Sequence, residues 1–189
     1  MAFTVTLASS RAMLNRDLRQ RSVDLIFGRM KMPNTEGDFD VEFLFDDPLV
    51  AIVGANSKLL RRGKIEGADL IDEPWCLPPF DWFAEVAGSV LPEAFRARGL
   101  EVPRHTVKSN SPNMLFAMAA TRRFISVLPA STLHFNGKRL GLKALPFEFP
   151  IRPDPVCIVT LRGRTINPST QVFIDCLREL TKPLAKARR

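Results

Sequence analysis

The sequence predicts an α/β chain of two lobes joined by two crossovers, and three observations carry that expectation. Strand-like and helix-like runs alternate along most of the 189 residues. Two proline-marked passages interrupt the alternation, one near residues 72–78 and one across 146–155, where Pro146, Pro150, Pro153 and Pro155 resist regular structure. The stretch between the passages is continuous in sequence, whereas the flanking stretches come from both chain ends. The expected division is therefore a first inner-lobe part at 1–73, an outer lobe at 74–150, an inner-lobe return at 151–182 and a basic tail at 183–189. Within each lobe the alternation implies mostly parallel strand pairing.

Residues 3–7 alternate like a strand. Ser9 or Ser10 caps a helix with Met13, Leu14 and Leu18 as its apolar stripe, and residues 23–27 give the next strand, which ends at Gly28 with Arg29 beyond it. After a polar loop with Pro33, Asn34 and Gly37, residues 41–45 and 49–53 read as strands, the second nearly all apolar and therefore central. A short helical turn at 66–72 precedes Glu73 and Pro74. The outer lobe then offers a strand at 75–77, a helix over 83–98 restarting near Pro92, a strand at 105–108, a helix over 111–121 with Met114, Leu115 and Met118 on one face, and a strand at 124–128. His134 falls in a loop-like stretch. Residues 156–161 form a further strand, and Pro168 opens a final helix to residue 180 whose Val172, Phe173, Cys176, Leu177 and Leu180 recur at helical spacing.

Composition bounds the function. With 46% hydrophobic residues the chain can bury a core. No stretch approaches the roughly 20 apolar residues of a membrane span, and the start, Met-Ala-Phe-Thr-Val-Thr-Leu, lacks the basic and apolar regions of a signal peptide. A cytoplasmic location without a membrane partner is expected. Cys76, Cys157 and Cys176 are odd in number and widely spaced, which supports neither a disulfide framework nor a metal cluster and reads as reduced core thiols. The formal charge of +7 favours anionic partners, although part of it sits in the tail. His105 and His134 have no nucleophile or carboxylate neighbour at a catalytic spacing, and no phosphate-binding glycine loop or His-Glu-x-x-His motif occurs. The chain is expected to be no enzyme and to need no cofactor or metal.

What remains reads as binding. Ligands of open α/β sheets sit outside the carboxyl ends of strands, so Arg29 is suited to grip a carboxylate there; the plainer reading is a strand stop at Gly28 and a solvated cation. Ser109, Asn110 and Ser111, followed by Pro112, join a strand to a helix with side-chain donors beside exposed amides, a carboxylate-binding arrangement that is also simple N-capping. Ser10 and Arg11 occupy the same kind of junction in the other lobe. If both junctions face one cleft, two helix amino termini and Arg29 make it electropositive. Phe80, Trp82 and Phe83, after Pro78 and Pro79, offer either an apolar wall for the ligand or a buried cluster.

In their order these motifs resemble the effector-binding domain of LysR-type transcriptional regulators, a type 2 periplasmic-binding-protein-like fold of two Rossmann-like lobes joined by two crossover strands. The run Arg19-Gln20-Arg21-Ser22-Val23-Asp24-Leu25-Ile26-Phe27-Gly28-Arg29 is similar to the family's stretch ending in Asp-hydrophobic-x-x-Gly-Arg. Ser126-Val127-Leu128-Pro129-Ala130-Ser131 resembles its Leu-Pro-Ala turn, and Asp69-Leu70-Ile71-Asp72-Glu73-Pro74 its crossover. The resemblance implies a sensor of a small carboxylate, of the benzoate or muconate kind suggested by residues 28–32 and 127–132, held by Ser10, Arg11, Arg29, Phe80, Trp82, Phe83, Ser109, Asn110 and Ser111. It implies a homodimer, a homotetramer or a pairing with an intact paralogue, and contact with DNA only through a winged helix-turn-helix. That reader, and the family's first strand and helix, have no counterpart before Phe3, so the inner lobe is expected to be truncated at its N-terminus. Where the family has Gly-x-Gly this chain has Arg122, Arg123 and Phe124, so the turn must be made without glycine. Three other classes compete. A solute-binding protein of the same fold is disfavoured by the missing signal peptide and the unpaired cysteines, an enzyme by the lack of an acid, base or nucleophile set, and direct nucleic-acid binding through the tail would show a steep salt dependence.

Overall fold

The computed structural model describes residues 2–6, 11–30, 37–77, 90–97, 99–109, 111–149 and 154–186. In chain order the elements are α1 (Arg11–Arg19), β1 (Ile26–Arg29), β2 (Phe39–Phe45), β3 (Leu49–Gly54), β4 (Trp75–Leu77), α2 (Val90–Arg96), β5 (Thr106–Lys108), α3 (Pro112–Ala120), β6 (Ile125–Pro129), α4 (Ala130–Leu140), β7 (Leu142–Glu148), β8 (Val156–Leu161) and α5 (Pro168–Lys186), with 3-10 turns at Lys58–Arg61 and Gly67–Leu70. The chain divides into two compact units, Met1–Asp47 with Asp154–Arg189, and Pro48–Pro153.

The first unit holds a three-stranded sheet in the order β1-β8-β2, with both outer strands antiparallel to β8. Leu18 of α1 packs with Ile26, Met30, Phe39, Cys157 and Val159 on one side of this sheet. α5 is tied to β2 by Arg178, whose guanidinium donates to both Glu42 carboxylate oxygens at 2.8 and 2.7 Å and to Asp175 Oδ1 at 2.9 Å; these contacts raise its pKa, the Glu42 hydrogen bond first.

The second unit holds five strands in the order β5-β4-β6-β3-β7. β4 pairs in parallel with β5 and β6, while β3 runs antiparallel to β6 and β7. Side-chain alternation sends Trp75 and Leu77 into one core with Phe95 of α2, and Cys76 into another with Leu115 and Ala119 of α3. α2 and α3 therefore cover opposite faces of the sheet.

Several expectations need correction. Residues 2–6 are exposed and form no strand, although Phe3 meets the Phe173 ring of α5 at 5.5 Å. β1 starts at Ile26 rather than at 23, because the amides of Ser22 and Val23 both turn back to the Asp17 carbonyl to close α1. Four of the six strand pairings are antiparallel, not mostly parallel, since β8 returns from far along the chain and inserts between β1 and β2 against their direction, and β6 and β7 arrive far along the chain to flank β3 against its direction. The first passage between units falls at 47/48 and not near 72–78, because β3 is paired on both sides within the second unit. His134 lies in α4, not in a loop, and β7 runs through Pro146. β7 is an edge strand, where a missing N–H costs no ladder bond. The final helix continues to Lys186, because Thr181, 7% exposed, and half-buried Leu184 extend its inner face into the expected tail.

Cys76 and Cys157 are buried, but Cys176 is exposed on α5. Burial pushes the Cys76 and Cys157 thiols up, helped at Cys157 by Asp154. Iodoacetamide at neutral pH is accordingly expected to label Cys176 alone in the folded protein, with all three thiols labelled only after denaturation; mass spectrometry of the digest reads the result.

The glycine-free turn after α3 is made by Arg122 in the left-handed region, φ 67°. A non-glycine residue there carries about 1–2 kcal/mol of strain. Arg122→Gly is therefore expected to stabilise the protein by about 1 kcal/mol in urea unfolding, the relief being partly offset by the flexibility of glycine in the unfolded chain.

Candidate functional site

β4, β5 and β6 are parallel, and their carboxyl ends lie at one end of the second unit's sheet. From β4 the chain passes over one face through α2 to β5, then returns over the other face through α3 to β6, on β4's far side. That reversal makes β4 a topological switch point, the place where doubly wound sheets open a crevice outside their strand ends. Two helices start there, α3 after β5 and α4 after β6, and the strands feeding them are two spacings, about 10 Å, apart.

Of the residues expected to bind ligand, Ser109 and Ser111 lie at this end. The Ser109 amide donates to the Leu77 carbonyl at 2.9 Å, which ties the junction to the end of β4. Ser109 Oγ accepts from the Ser111 amide at 3.2 Å, and Ser111 Oγ accepts from the Met114 amide at 3.4 Å as the N-cap of α3, with Pro112 in its first turn. The structure thus shows the capping role, which leaves the hydroxyl protons free to donate. α4 begins differently. Its cap position is Pro129, which makes no side-chain cap hydrogen bond, and Ser131 and Thr132 stand in its first turn. This second helix start is hidden in the sequence, because Leu133 and Phe135 stand among polar residues and Gly137 and show no clear helical stripe; the Leu-Pro-Ala-Ser motif is the available signal.

Arg29 is placed otherwise than a solvated strand-end cation. Its Nη1 donates to the Asp154 carbonyl at 2.8 Å and its Nη2 to the Asp47 carbonyl at 2.6 Å, with the Asp47 carboxylate 3.6 Å away and only 12% of the side chain exposed. Asp47 and Asp154 are the last residues of the first unit at its two passages to the second. Burial lowers the Arg29 pKa, and Asp47 and Asp154 oppose that shift. One guanidinium thus fastens both ends of the unit to the carboxyl end of β1. Arg11 is the first residue of α1, while Ser10, Phe80, Trp82, Phe83 and Asn110 lie outside the described residues. Among the described residues there is no group of three or more His, Cys, Asp and Glu side chains able to hold a metal, and no helix long and apolar enough to cross a membrane.

Comparison with known proteins bears on the fold and the family. A family profile described as LysR substrate binding domain matches residues 2–182. The HTH-type transcriptional regulator GbpR of Azospirillum brasilense is 26% identical over 162 residues, covering 85% of this chain but 46% of GbpR, so the chain spans less than half the length of that relative. Among solved structures, the Synechocystis PCC6803 CcmR regulatory domain in complex with 2-PG is 24% identical with a TM-score of 0.64, covering 90% of this chain and 79% of CcmR. The effector-binding domain of QuiR in complex with shikimate is 18% identical with a TM-score of 0.60, covering 92% and 79%. With the profile spanning nearly the whole sequence, this chain belongs to the LysR substrate binding domain family.

Proposed function

We propose that the chain is the effector-sensing part of a LysR-type transcriptional regulator and that its effector is a small carboxylate bound outside the carboxyl ends of β4, β5 and β6. The observation carrying this reading is the switch point at β4 with two helix amino termini beside it, where backbone amides, the helix dipoles and the hydroxyls of Ser109 and Ser111 all favour an anion. Shikimate, the ligand named for QuiR, is such an acid. Ser131 and Thr132 join the proposed contact set, with Asn110 as a further polar contact and Phe80, Trp82 and Phe83 as the apolar wall. Arg29 serves as a clamp on the chain passages rather than as a ligand contact. The sensor works without chemistry, by changing which conformation is populated when ligand binds, within a homodimer or homotetramer whose sequence-specific reading of DNA comes from a winged helix-turn-helix.

A thermal-shift titration with benzoate, cis,cis-muconate and shikimate tests this, paired with Ser111→Asp. Aspartate caps a helix as well as serine does, so the variant keeps the fold, yet its charge repels a carboxylate at the same place. A ligand at 100 times its Kd contributes about 2.7 kcal/mol, or roughly 5–11 °C for a domain of this size. The expected result is a saturable rise of that order in the parent and its loss in Ser111→Asp. No shift with any acid, or an equal shift in the variant, would overturn the reading.

A further inference from the structure

At the opposite end of the second unit's sheet, three segments without acidic residues converge. Residues 53–62, 120–124 and 136–143 carry eight Lys and Arg and no Asp or Glu. They are joined closely: a Cβ on Gly54 would lie 2.8 Å from Arg122 Cγ, the Ala55 amide donates to the Gly141 carbonyl at 2.7 Å, and the Ser57 amide donates to the Gly54 carbonyl at 2.8 Å just before the turn Lys58–Arg61. Lys58, Arg61, Arg122, Arg123, Lys138 and Arg139 are all exposed. Among the described residues none of the six forms an ion pair; Arg139 donates to the neutral Asn136 Oδ1 at 3.1 Å, while neighbouring Arg62 is met by Asp69.

Cations at helix carboxyl ends ordinarily offset the helix dipole, and that accounts for Lys138 and Arg139 at the end of α4. It does not account for Lys58 and Arg61, which follow β3 on a 3-10 turn, nor for Arg122, held in a conformation that glycine would adopt without strain. Among the described residues, the one large exposed apolar side chain bordering these segments is Phe135 of α4, so the surface is predominantly cationic. Phosphate contact needs only clustered, unneutralised cations.

We propose that this basic pole is a sequence-independent contact surface for the phosphate backbone of duplex DNA. It lies at the end of the sheet away from Ser109 and Ser111, so the inference does not rest on the effector reading and both surfaces can be occupied together.

Fluorescence anisotropy of the full chain with a labelled 30-base-pair duplex of arbitrary sequence, across a salt series, tests it. Four neutralised phosphates give a slope of log K against log salt of about −3.6. A variant combining Arg122→Gly, Arg123→Gln, Lys138→Gln and Arg139→Gln is expected to bind at least tenfold more weakly at low salt and to flatten that slope by about one for each phosphate no longer neutralised. Arg122→Gly alone, which keeps the fold, should weaken binding in the same direction. A variant neutralising Lys182, Lys186, Arg188 and Arg189 should bind as the parent does. Three results would overturn the proposal: no binding at low salt, loss of binding only in the tail variant, or displacement of the duplex by poly-glutamate as effectively, charge for charge, as by unlabelled DNA.

Discussion

Arg29→Ala is expected to lower the melting temperature by roughly 6–12 °C with no ligand present. The guanidinium is nearly buried and holds the carbonyls of Asp47 and Asp154 at once, beside a carboxylate that is itself only 6% exposed. Removing one member of a buried charged contact costs about 3 kcal/mol or more, because the partners lose their donor without regaining water, and each kcal/mol is worth about 2–4 °C in a domain of this size. Arg29→Lys should recover only part of the loss, since a single ammonium cannot span two carbonyls as a planar fork does. A cation that merely gripped ligand would behave in the opposite way, leaving the ligand-free protein unchanged or more stable when removed. Differential scanning calorimetry of the ligand-free variants separates the two.

Trp75→Ala is expected to cost about 3–5 kcal/mol and to leave the second unit unfolded or molten near physiological temperature. Trp75 is fully buried, meets Phe95 edge-on at 5.9 Å, and donates its indole N–H to the Leu70 carbonyl at 2.9 Å. The substitution therefore opens a large cavity and orphans an acceptor together. Trp75 also sits on β4, so the switch point is disrupted with it. Near-ultraviolet circular dichroism and urea unfolding read the effect; a midpoint within about 1 kcal/mol of the parent would contradict it.

Much of this fold is legible in the sequence because local chemistry and tertiary packing agree. The apolar run of residues 49–53 becomes β3, paired on both sides, and Ser111 with Pro112 marks the start of α3 as capping rules require. The errors share a physical cause. Strand direction in β8 and β3 depends on partners brought from distant sequence, which alternation of elements does not encode. Pro146 looks like a breaker until β7 is known to be an edge, and Cys176 looks like core until α5 turns it outward. At the candidate site, a helix start with capping serines can be read directly, whereas the second helix start, with proline as its cap, can be found only from the sheet order. The partners of Arg29 lie 18 and 125 residues away, beyond the reach of any local pattern.

The central claim is that a carboxylate effector sits against the amino ends of α3 and α4. Hydrogen–deuterium exchange of the full chain, with and without saturating amounts of whichever acid gives the largest thermal shift, tests it most directly. Amides of residues 109–115 and 130–133 should be protected at least tenfold, while those around 55–62 and 138–143 stay unchanged. Protection confined to any other part of the chain, or none at all with a bound acid, would contradict the claim.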